Sequence, residues 1–333
     1  MSRLRITLGL TLAALLATSC VSGEDTTGQP AAGAQTELRL DYAYYNPSSL
    51  VIKEQKWLET ELAAKGVKVT WTLSAGSNKA NENLRSDVID LGSTAGAAAF
   101  QARSNGTPIK AVGIYSQPEW AAVVVGKDSP IADVKELKGK RVAATKGTDP
   151  YFFLLQSLHE AGLAATDVEV VNLQHADGKT ALERGDVDAW AGLDPLMAQG
   201  QVDAGSKLIY RNPGFNSYGF LNAREAFITE HPDLVQAAVN AYEKARDWIQ
   251  KNPDAAVSLL ARESKVSPEV AKVVLGERTK LDISPVPGDA QRQVLERILP
   301  TLVAEKQVKS EQDARTALET LLEPKFAQQA AKP

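Results

Sequence analysis

The chain has 333 residues, of which 44% are hydrophobic and 23% are charged, fractions that exclude a disordered, collagen-like or coiled-coil protein. The length suggests about two domains, and a net charge of −4 without a block of like charges offers no basic face to a nucleic acid. One cysteine and three histidines exclude a disulfide framework and are too few for an ordinary zinc site or iron–sulfur cluster.

The N-terminus has the features of an export signal. Two arginines precede the apolar run Ile6–Ala17, which is shorter than the roughly 20 residues that span a bilayer. The small residues Ala17–Ser19 then lead to Cys20 in a segment that resembles the lipobox of bacterial lipoproteins. We therefore expect a signal peptide over residues 1–19 and lipidation of Cys20, with simple secretion as the alternative. Residues 20–36 are small and polar, which predicts a flexible tether.

After the tether, strand-like runs alternate with helical patterns, which predicts parallel, doubly wound sheets. Strand-like runs lie at 38–43, 67–73, 87–92, 109–115, 120–125, 141–144, 168–173, 189–192, 208–210 and 218–222. Helical patterns lie at 48–65, 78–86, 94–105, 151–161 and 178–184. From Glu225 onward the pattern is almost entirely helical.

This order of elements predicts two α/β lobes. We expect lobe I to comprise residues 37–125 and 217–333 and lobe II to comprise residues 126–216. The strands Ala121–Val125 and Ser217–Leu221 are expected to cross between the lobes, with the C-terminal helices packed mainly on lobe I. A cleft between two such lobes is where a small molecule usually binds.

Four loops that follow strands of lobe I are expected to line this cleft, at 44–49, 74–78, 93–96 and 116–120. Three of them are rich in serine, threonine or glycine immediately before a helix. Helix capping alone explains that pattern. Jointly, however, converging helix N-termini would suit an anionic group.

Two acidic residues of lobe II are expected near the same cleft, because each follows a strand. Asp149 is also a good helix cap, so a structural role and a ligand contact both stay open. If Asp149 and Asp194 point inward, they favour a zwitterion or an amine over a plain anion. His175 follows a strand and could also reach the cleft, whereas His159 and His231 are expected to be structural or solvated.

The chain contains no GxSxG elbow, HExxH motif, P-loop or GxGxxG after the first strand. We therefore expect a protein that is not an enzyme and that needs no cofactor or metal.

Several segments resemble the extracytoplasmic substrate-binding proteins of ABC transporters, in the aliphatic sulfonate, taurine and nitrate group. They are DVIDLGSTA (87–95), DSPIADVKELKGKRV (128–142), KG (146–147), VVNLQ (170–174), GDVDAW (185–190) and DP (194–195). The resemblance extends from about Leu38 to the C-terminus. It implies an α/β periplasmic-binding-protein fold of type II, with two doubly wound sheets joined by two crossing strands and a helical C-terminus.

The resemblance also implies a function. A monomeric, exported protein at the cell membrane or in the periplasm, lipid-anchored through Cys20, would capture a small organic sulfonate or related zwitterion by hinge closure. It would deliver this ligand to ABC permease and ATPase subunits and catalyse nothing. Alternatives are a binding protein for nitrate, an amine or a heterocycle, or a secreted enzyme of the same fold. The pyrimidine-synthase relatives carry a cysteine cluster that this chain lacks.

The ligand contacts that the resemblance implies are Tyr45, Asn46, Ser74, Gly76, Ser93, Thr94, Gln117, Thr148, Asp149, Trp190 and Asp194. Asp149 departs from the family pattern, because sulfonate binders commonly have small hydroxyl residues after the Lys-Gly pair. We expect it to contact the cationic end of an amino-sulfonate, while the lobe I loops bind the anionic end.

Overall fold

The computed structural model describes residues 36–330. The predicted signal peptide, Cys20 and nearly all of the tether lie outside the described residues.

The strands are β1 (Glu37–Tyr42), β2 (Lys68–Leu73), β3 (Leu91–Ala95), β4 (Ile109–Pro118), β5 (Val123–Val125), β6 (Arg141–Ala144), β7 (Glu169–Asn172), β8 (Ala189–Ala191), β9 (Lys207–Tyr210), β10 (Gly219–Arg224) and β11 (Thr279–Lys280). The helices are α1 (Pro47–Gln55), α2 (Trp57–Ala63), α3 (Ser77–Arg85), α4 (Gly96–Ser104), α5 (Asp149–Glu160), α6 (His175–Arg184), α7 (Leu196–Ala204), α8 (Glu225–Glu230), α9 (Pro232–Lys251), α10 (Pro253–Ser264), α11 (Pro268–Lys272), α12 (Asp289–Ala304), α13 (Glu311–Thr320) and α14 (Lys325–Ala330).

These strands form two sheets. One has six strands in the order β11-β4-β10-β3-β1-β2, and the other has five in the order β7-β6-β8-β5-β9. Within the first sheet β1 is parallel to β2 and β3, whereas β10 is antiparallel to β3 and β4. Within the second, β6 is parallel to β7 and β8, whereas β5 is antiparallel to β8 and β9. This confirms the predicted α/β fold with two sheets.

We call the six-stranded sheet and its helices the first lobe, and the five-stranded sheet with α5, α6 and α7 the second lobe. The first strand after each crossing is antiparallel to its neighbours. Strand β5 follows the passage from the six-stranded to the five-stranded sheet, and β10 follows the passage back. The predicted crossing strands are therefore each paired within one sheet only: β5 lies in the second lobe and β10 in the first. The valines of β5 are fully buried, as suits a central strand that is covered on both faces. The crossings themselves are the segments 119–122 and 211–218.

The C-terminal helices pack on the first lobe because their apolar residues recur at helical spacing. In α9, Leu234, Ala238, Tyr242, Ala245 and Ile249 are buried, so one face of a 20-residue helix is covered. This helix contacts α1 and α14, and α13 contacts α4. No helix between residues 36 and 330 is long and apolar enough to span a membrane.

Two predicted elements differ from the structure. The predicted strand at 87–92 is an ion-paired turn instead, and β3 begins only at Leu91. Asp90 accepts hydrogen bonds from Arg39 and Arg224, at 3.0 and 2.8 Å, and these side-chain contacts outweigh the strand pattern of the sequence. The predicted helix at 48–65 is divided into α1 and α2 at Lys56, whose φ of 51° is left-handed.

Candidate functional site

The two lobes meet along a surface that we call the seam, formed by residues 74–78 of the first lobe and by residues 145–149 and His175 of the second. A Cβ built on Gly76 would lie 3.0 Å from His175 Nε2, and one built on Gly147 would lie 3.6 Å from the Asn78 side chain. Beside the seam, the space between Tyr45, Trp120, Asp194 and Arg278 is about 10 Å³, which holds one water at most. The structure is therefore a closed form.

Helix N-termini from both lobes converge on the seam. Helices α1, α3 and α4 follow the carboxyl ends of β1, β2 and β3, and α5 and α6 follow those of β6 and β7. Tyr45, Ala95 and Thr148, which lie just before three of these helices, surround one common point of contact that leaves no room for a water in this closed form. Because helix N-termini carry partial positive charge and backbone N–H groups, this arrangement suits an anion.

Tyr45 and Asn46 follow β1 as predicted, but their polar groups serve the first lobe. The Tyr45 hydroxyl donates to the Ser93 carbonyl at 2.9 Å, and its ring packs edge-on against Trp120. Asn46 caps α1 through its Oδ1, and its Nδ2 donates to the Tyr242 hydroxyl at 3.1 Å. Both ends of the Asn46 amide therefore have partners within the first lobe, and its contact with a ligand stays a prediction.

Ser93 and Thr94 lie within β3 and not in a loop, and both are fully buried. The Ser93 hydroxyl donates to Asp41 Oδ1 at 3.0 Å, and the Thr94 hydroxyl donates to the Ala95 carbonyl at 2.9 Å. Both side chains have hydrogen-bond partners inside the first lobe, and their predicted role as ligand contacts stays a prediction. Gln117 likewise lies on β4, opposite Lys280 of β11, and not in a loop.

Ser74 and Gly76 do lie at the seam. The Ser74 hydroxyl is buried, with no hydrogen-bond partner among the described residues. Nearby Asp41 is fully buried, and burial raises its pKa to about 7 against the opposing hydrogen bonds from the Ser93 backbone N–H and hydroxyl. Its second oxygen also lacks a partner within residues 36–330. The floor of the seam on the first-lobe side is therefore polar and incompletely satisfied.

Asp149 neither caps its helix nor points into free space. Thr148 is the N-cap of α5, and its hydroxyl donates to the Thr145 carbonyl at 2.6 Å. Asp149 Oδ2 accepts from Trp120 Nε1 and from the Ser217 backbone N–H, and Oδ1 accepts from the Ser217 hydroxyl, all at 2.7 Å. Burial raises the pKa of Asp149, and these three bonds oppose the shift. The carboxylate thus joins the two crossing segments of the hinge.

Asp194 is held by an arginine of the first lobe. Arg278 Nη1 donates to both carboxylate oxygens, at 3.0 and 3.2 Å, and Ala198 N–H donates to one of them at 2.9 Å. Both ionic side chains are nearly fully buried. Burial raises the pKa of Asp194 to about 6, although the charge of Arg278 opposes that rise. Asp149 and Asp194 are thus both paired with donors of the protein, and their joint attraction of a cationic group stays a prediction.

Trp190 does not face the seam either. It packs in the second-lobe core with Ala143, Leu182 and Met197. Its Nε1 lies against α6, where a Cβ on Gly178 would be 2.8 Å away. The period-two alternation of β8 points this side chain under the helix, and its contact with a ligand stays a prediction.

Sequence reasoning missed Trp120, Ser217 and Arg278 as partners of the two acids, because hydrogen bonds across 29 to 84 positions leave no local pattern. For His175 the sequence does carry a signal, because a residue that follows a strand is expected near the cleft. Among residues 36–330, no group of His, Cys, Asp and Glu side chains could hold a metal ion.

Comparison with known proteins agrees with this architecture. A "Putative aliphatic sulfonates-binding protein" from Escherichia coli (strain K12) is 27% identical over 285 residues, covering 85% of this chain and 87% of the relative. One from Bacillus subtilis (strain 168) is 29% identical, covering 72% and 73%. The solved alkanesulfonate-binding protein SsuA from Xanthomonas axonopodis pv. citri, bound to MOPS, is 25% identical with a TM-score of 0.76, covering 85% of this chain and 97% of that one.

These similarities confirm the predicted resemblance and the periplasmic-binding-protein fold. Residues 62–256, more than half of the chain, match the family described as NMT1/THI5 like. The chain therefore belongs to the NMT1/THI5-like family.

Proposed function

We propose that this protein is the solute-binding component of an ABC importer and that it captures a small organic sulfonate between its lobes. One structural observation carries the proposal. Five helix N-termini converge on a seam whose two nearby carboxylates, Asp149 and Asp194, are engaged by the protein's own donors. Burial raises the pKa of the third nearby carboxylate, Asp41, to about 7 and so disfavours its charged form. An anionic head group therefore meets positive helix ends beside carboxylates that are either paired or partly neutralised. The two relatives named as putative aliphatic sulfonates-binding proteins support the same ligand class.

Capture would occur by hinge closure about the crossing segments 119–122 and 211–218. An open form admits the ligand, and a bound ligand favours the closed form because it contacts both lobes. We propose Tyr45, Ser74, Gly76 and Thr148 as the predicted contacts that remain at the seam. The closed form would then dock on permease and ATPase subunits, as a monomer that catalyses no reaction.

The proposal includes export and anchoring. The relatives with binding-protein names support an exported protein, and the predicted lipobox supports attachment of Cys20 to the membrane. The residues after Cys20 would act as a tether that lets the lobes reach the permease. Anchoring and simple secretion differ in whether the mature protein partitions with membranes.

A thermal-shift and calorimetric screen tests the ligand class. The panel contains alkanesulfonates, amino-sulfonates, nitrate, simple amines and heterocycles. A sulfonate present at 100 times its dissociation constant should stabilise the protein by about 2.7 kcal/mol, and nitrate and the amines should not. Binding of an amine or a heterocycle without binding of any sulfonate would refute the proposal. An NMR spectrum of the ligand after incubation separates binding from turnover, for which we expect no product.

A further inference from the structure

Arg278 joins the two lobes at a place outside the seam. It lies between α11 and β11 of the first lobe, and its side chain is 4% exposed. Nη1 donates to both carboxylate oxygens of Asp194, at 3.0 and 3.2 Å, and Nη2 donates to Gln201. Asp194 follows β8 and Gln201 lies on α7, so both partners belong to the second lobe. One guanidinium thus holds two points of the opposite lobe that are seven positions apart.

The backbone around Arg278 is fixed to the first lobe where the chain leaves that lobe. The Arg278 carbonyl accepts from the Glu119 N–H at 2.7 Å. Strand β11, which begins at Thr279, pairs with the last residues of β4. The guanidinium therefore extends from a fixed base beside the crossing segment 119–122.

The two contacts of Arg278 respond differently to a rotation of the lobes. The Asp194 N–H donates to the Trp120 carbonyl at 3.1 Å, so this partner lies beside the crossing segment and close to the axis of rotation. Gln201 lies about 8 Å along α7 from the start of that helix. Helix α7 also contacts α11 of the first lobe. Opening would carry Gln201 away from Arg278 and admit water to the ion pair.

Burial makes closure sensitive to the loss of one partner of this ion pair. Removal of one partner leaves an uncompensated charge in the buried state, whereas removal of both often costs little. Arginine stays charged in proteins, so Arg278 without Asp194 would be a buried, unpaired cation in the closed form and a hydrated one in the open form. Asp194 without Arg278 can bind a proton, so that loss costs less.

We propose that Arg278, Asp194 and Gln201 form a latch between the lobes, which favours the closed form through contacts of the protein with itself. The latch acts on closure and not on the ligand, so it changes the affinity for every ligand by the same factor and slows release. Its effect on affinity rests on the proposed function, whereas its effect on the shape of the protein does not.

Calorimetry with propanesulfonate and 2-aminoethanesulfonate tests the latch. Asp194→Asn should weaken both ligands about a hundredfold and by the same factor. Gln201→Ala, at an exposed position that tolerates replacement, should weaken both severalfold. Gln199→Ala is the matched control, since Gln199 lies on the same helix but about 200° around its axis from Gln201, and it should bind as the wild type does.

A double-mutant cycle shows whether the two charges act as a unit. Arg278→Met should weaken both ligands about tenfold, and Asp194→Asn combined with Arg278→Met should be no weaker than Arg278→Met alone. Multiplication of the two single effects in the double variant would overturn the latch. Tighter binding in Asp194→Asn would also overturn it, because it would show that Arg278 binds the sulfonate and that Asp194 competes for it.

X-ray scattering without added ligand separates the latch from the proposed function. The radius of gyration of Asp194→Asn should exceed that of the wild type, and that of Gln199→Ala should not. Equal radii in Asp194→Asn and the wild type would overturn the latch whether or not a sulfonate binds. A larger radius in Asp194→Asn, with no binding of either sulfonate to the wild type, would support the latch and refute the proposed ligand class.

Discussion

The three hydrogen bonds at Asp149 predict a large, ligand-independent effect of its replacement. In Asp149→Ala the Trp120 indole N–H, the Ser217 backbone N–H and the Ser217 hydroxyl all lose an acceptor at a buried site. Each buried group left without its partner costs about 1–3 kcal/mol. The same substitution removes the free-energy penalty of burying a charged carboxylate, and this offsets part of the destabilisation. We therefore expect the lower bound, a loss of about 3 kcal/mol in the free energy of unfolding.

Thermal unfolding followed by circular dichroism measures this loss. At roughly 2–4 °C per kcal/mol for a protein of this size class, Tm should fall by about 6 °C or more. Asp177→Ala is the matched control, because Asp177 also lies in the first turn of a helix but is exposed. It should leave Tm within about 1 °C of the wild type. Asp149→Asn keeps one oxygen as an acceptor and should show a smaller loss, about 1 kcal/mol.

Calorimetry of Asp149→Asn distinguishes a hinge contact from a ligand contact. A hinge residue changes the affinity for 2-aminoethanesulfonate and for propanesulfonate by the same factor, because it acts on closure and not on the amine. A Tm of Asp149→Ala equal to that of the wild type would refute the hinge role. A loss of affinity confined to the amine-bearing ligand would show that the carboxylate reads the ligand after all.

Three further predictions concern closure, pH and anchoring. Gly76→Ala should shift the protein toward the open form, since its Cβ would lie 3.0 Å from the His175 ring of the opposite lobe; a radius of gyration by X-ray scattering equal to that of the wild type at the same ligand concentration would contradict this. A folded-state pKa of His175 near 3 against an ordinary value of 6.5 means that the folded protein resists protonation, so stability falls as the pH drops below 6.5. Through His175, the free energy of unfolding should be about 2 kcal/mol lower at pH 5 than at pH 7.5. This loss should be absent in His175→Gln and retained in the control His159→Gln. Equal pH profiles of the wild type and His175→Gln would contradict it. Cys20→Ala should move the protein from the detergent phase to the aqueous phase in extraction, and unchanged partitioning would indicate simple secretion.

The order of strands and helices could be predicted from local patterns alone. Apolar spacing and Gly or Pro punctuation placed nearly every element of the first 220 residues within a few positions. The exceptions have identifiable causes. Residues 87–90 read as a strand because Val88 and Ile89 are β-formers, but ion pairs with Arg39 and Arg224 hold them in a turn. Helix α7 is not among the predicted elements, although Pro195 precedes it and a left-handed Gly205 follows it; Gly200 inside the helix weakens its pattern.

The sequence by itself determined the fold class, the family and the loops that form the seam, because each depends on contacts that are local or on motifs that are contiguous. Tertiary structure alone decided which side chains remain free there. Asp149 and Asp194 look like ligand groups in the sequence, yet donors 29 to 84 positions away engage both of them. His175 is available for the opposite reason, since Thr145 occupies one ring nitrogen and the lobes bury the other without a partner. Whether a polar atom is satisfied depends on the packing of distant segments, and no local pattern records that packing.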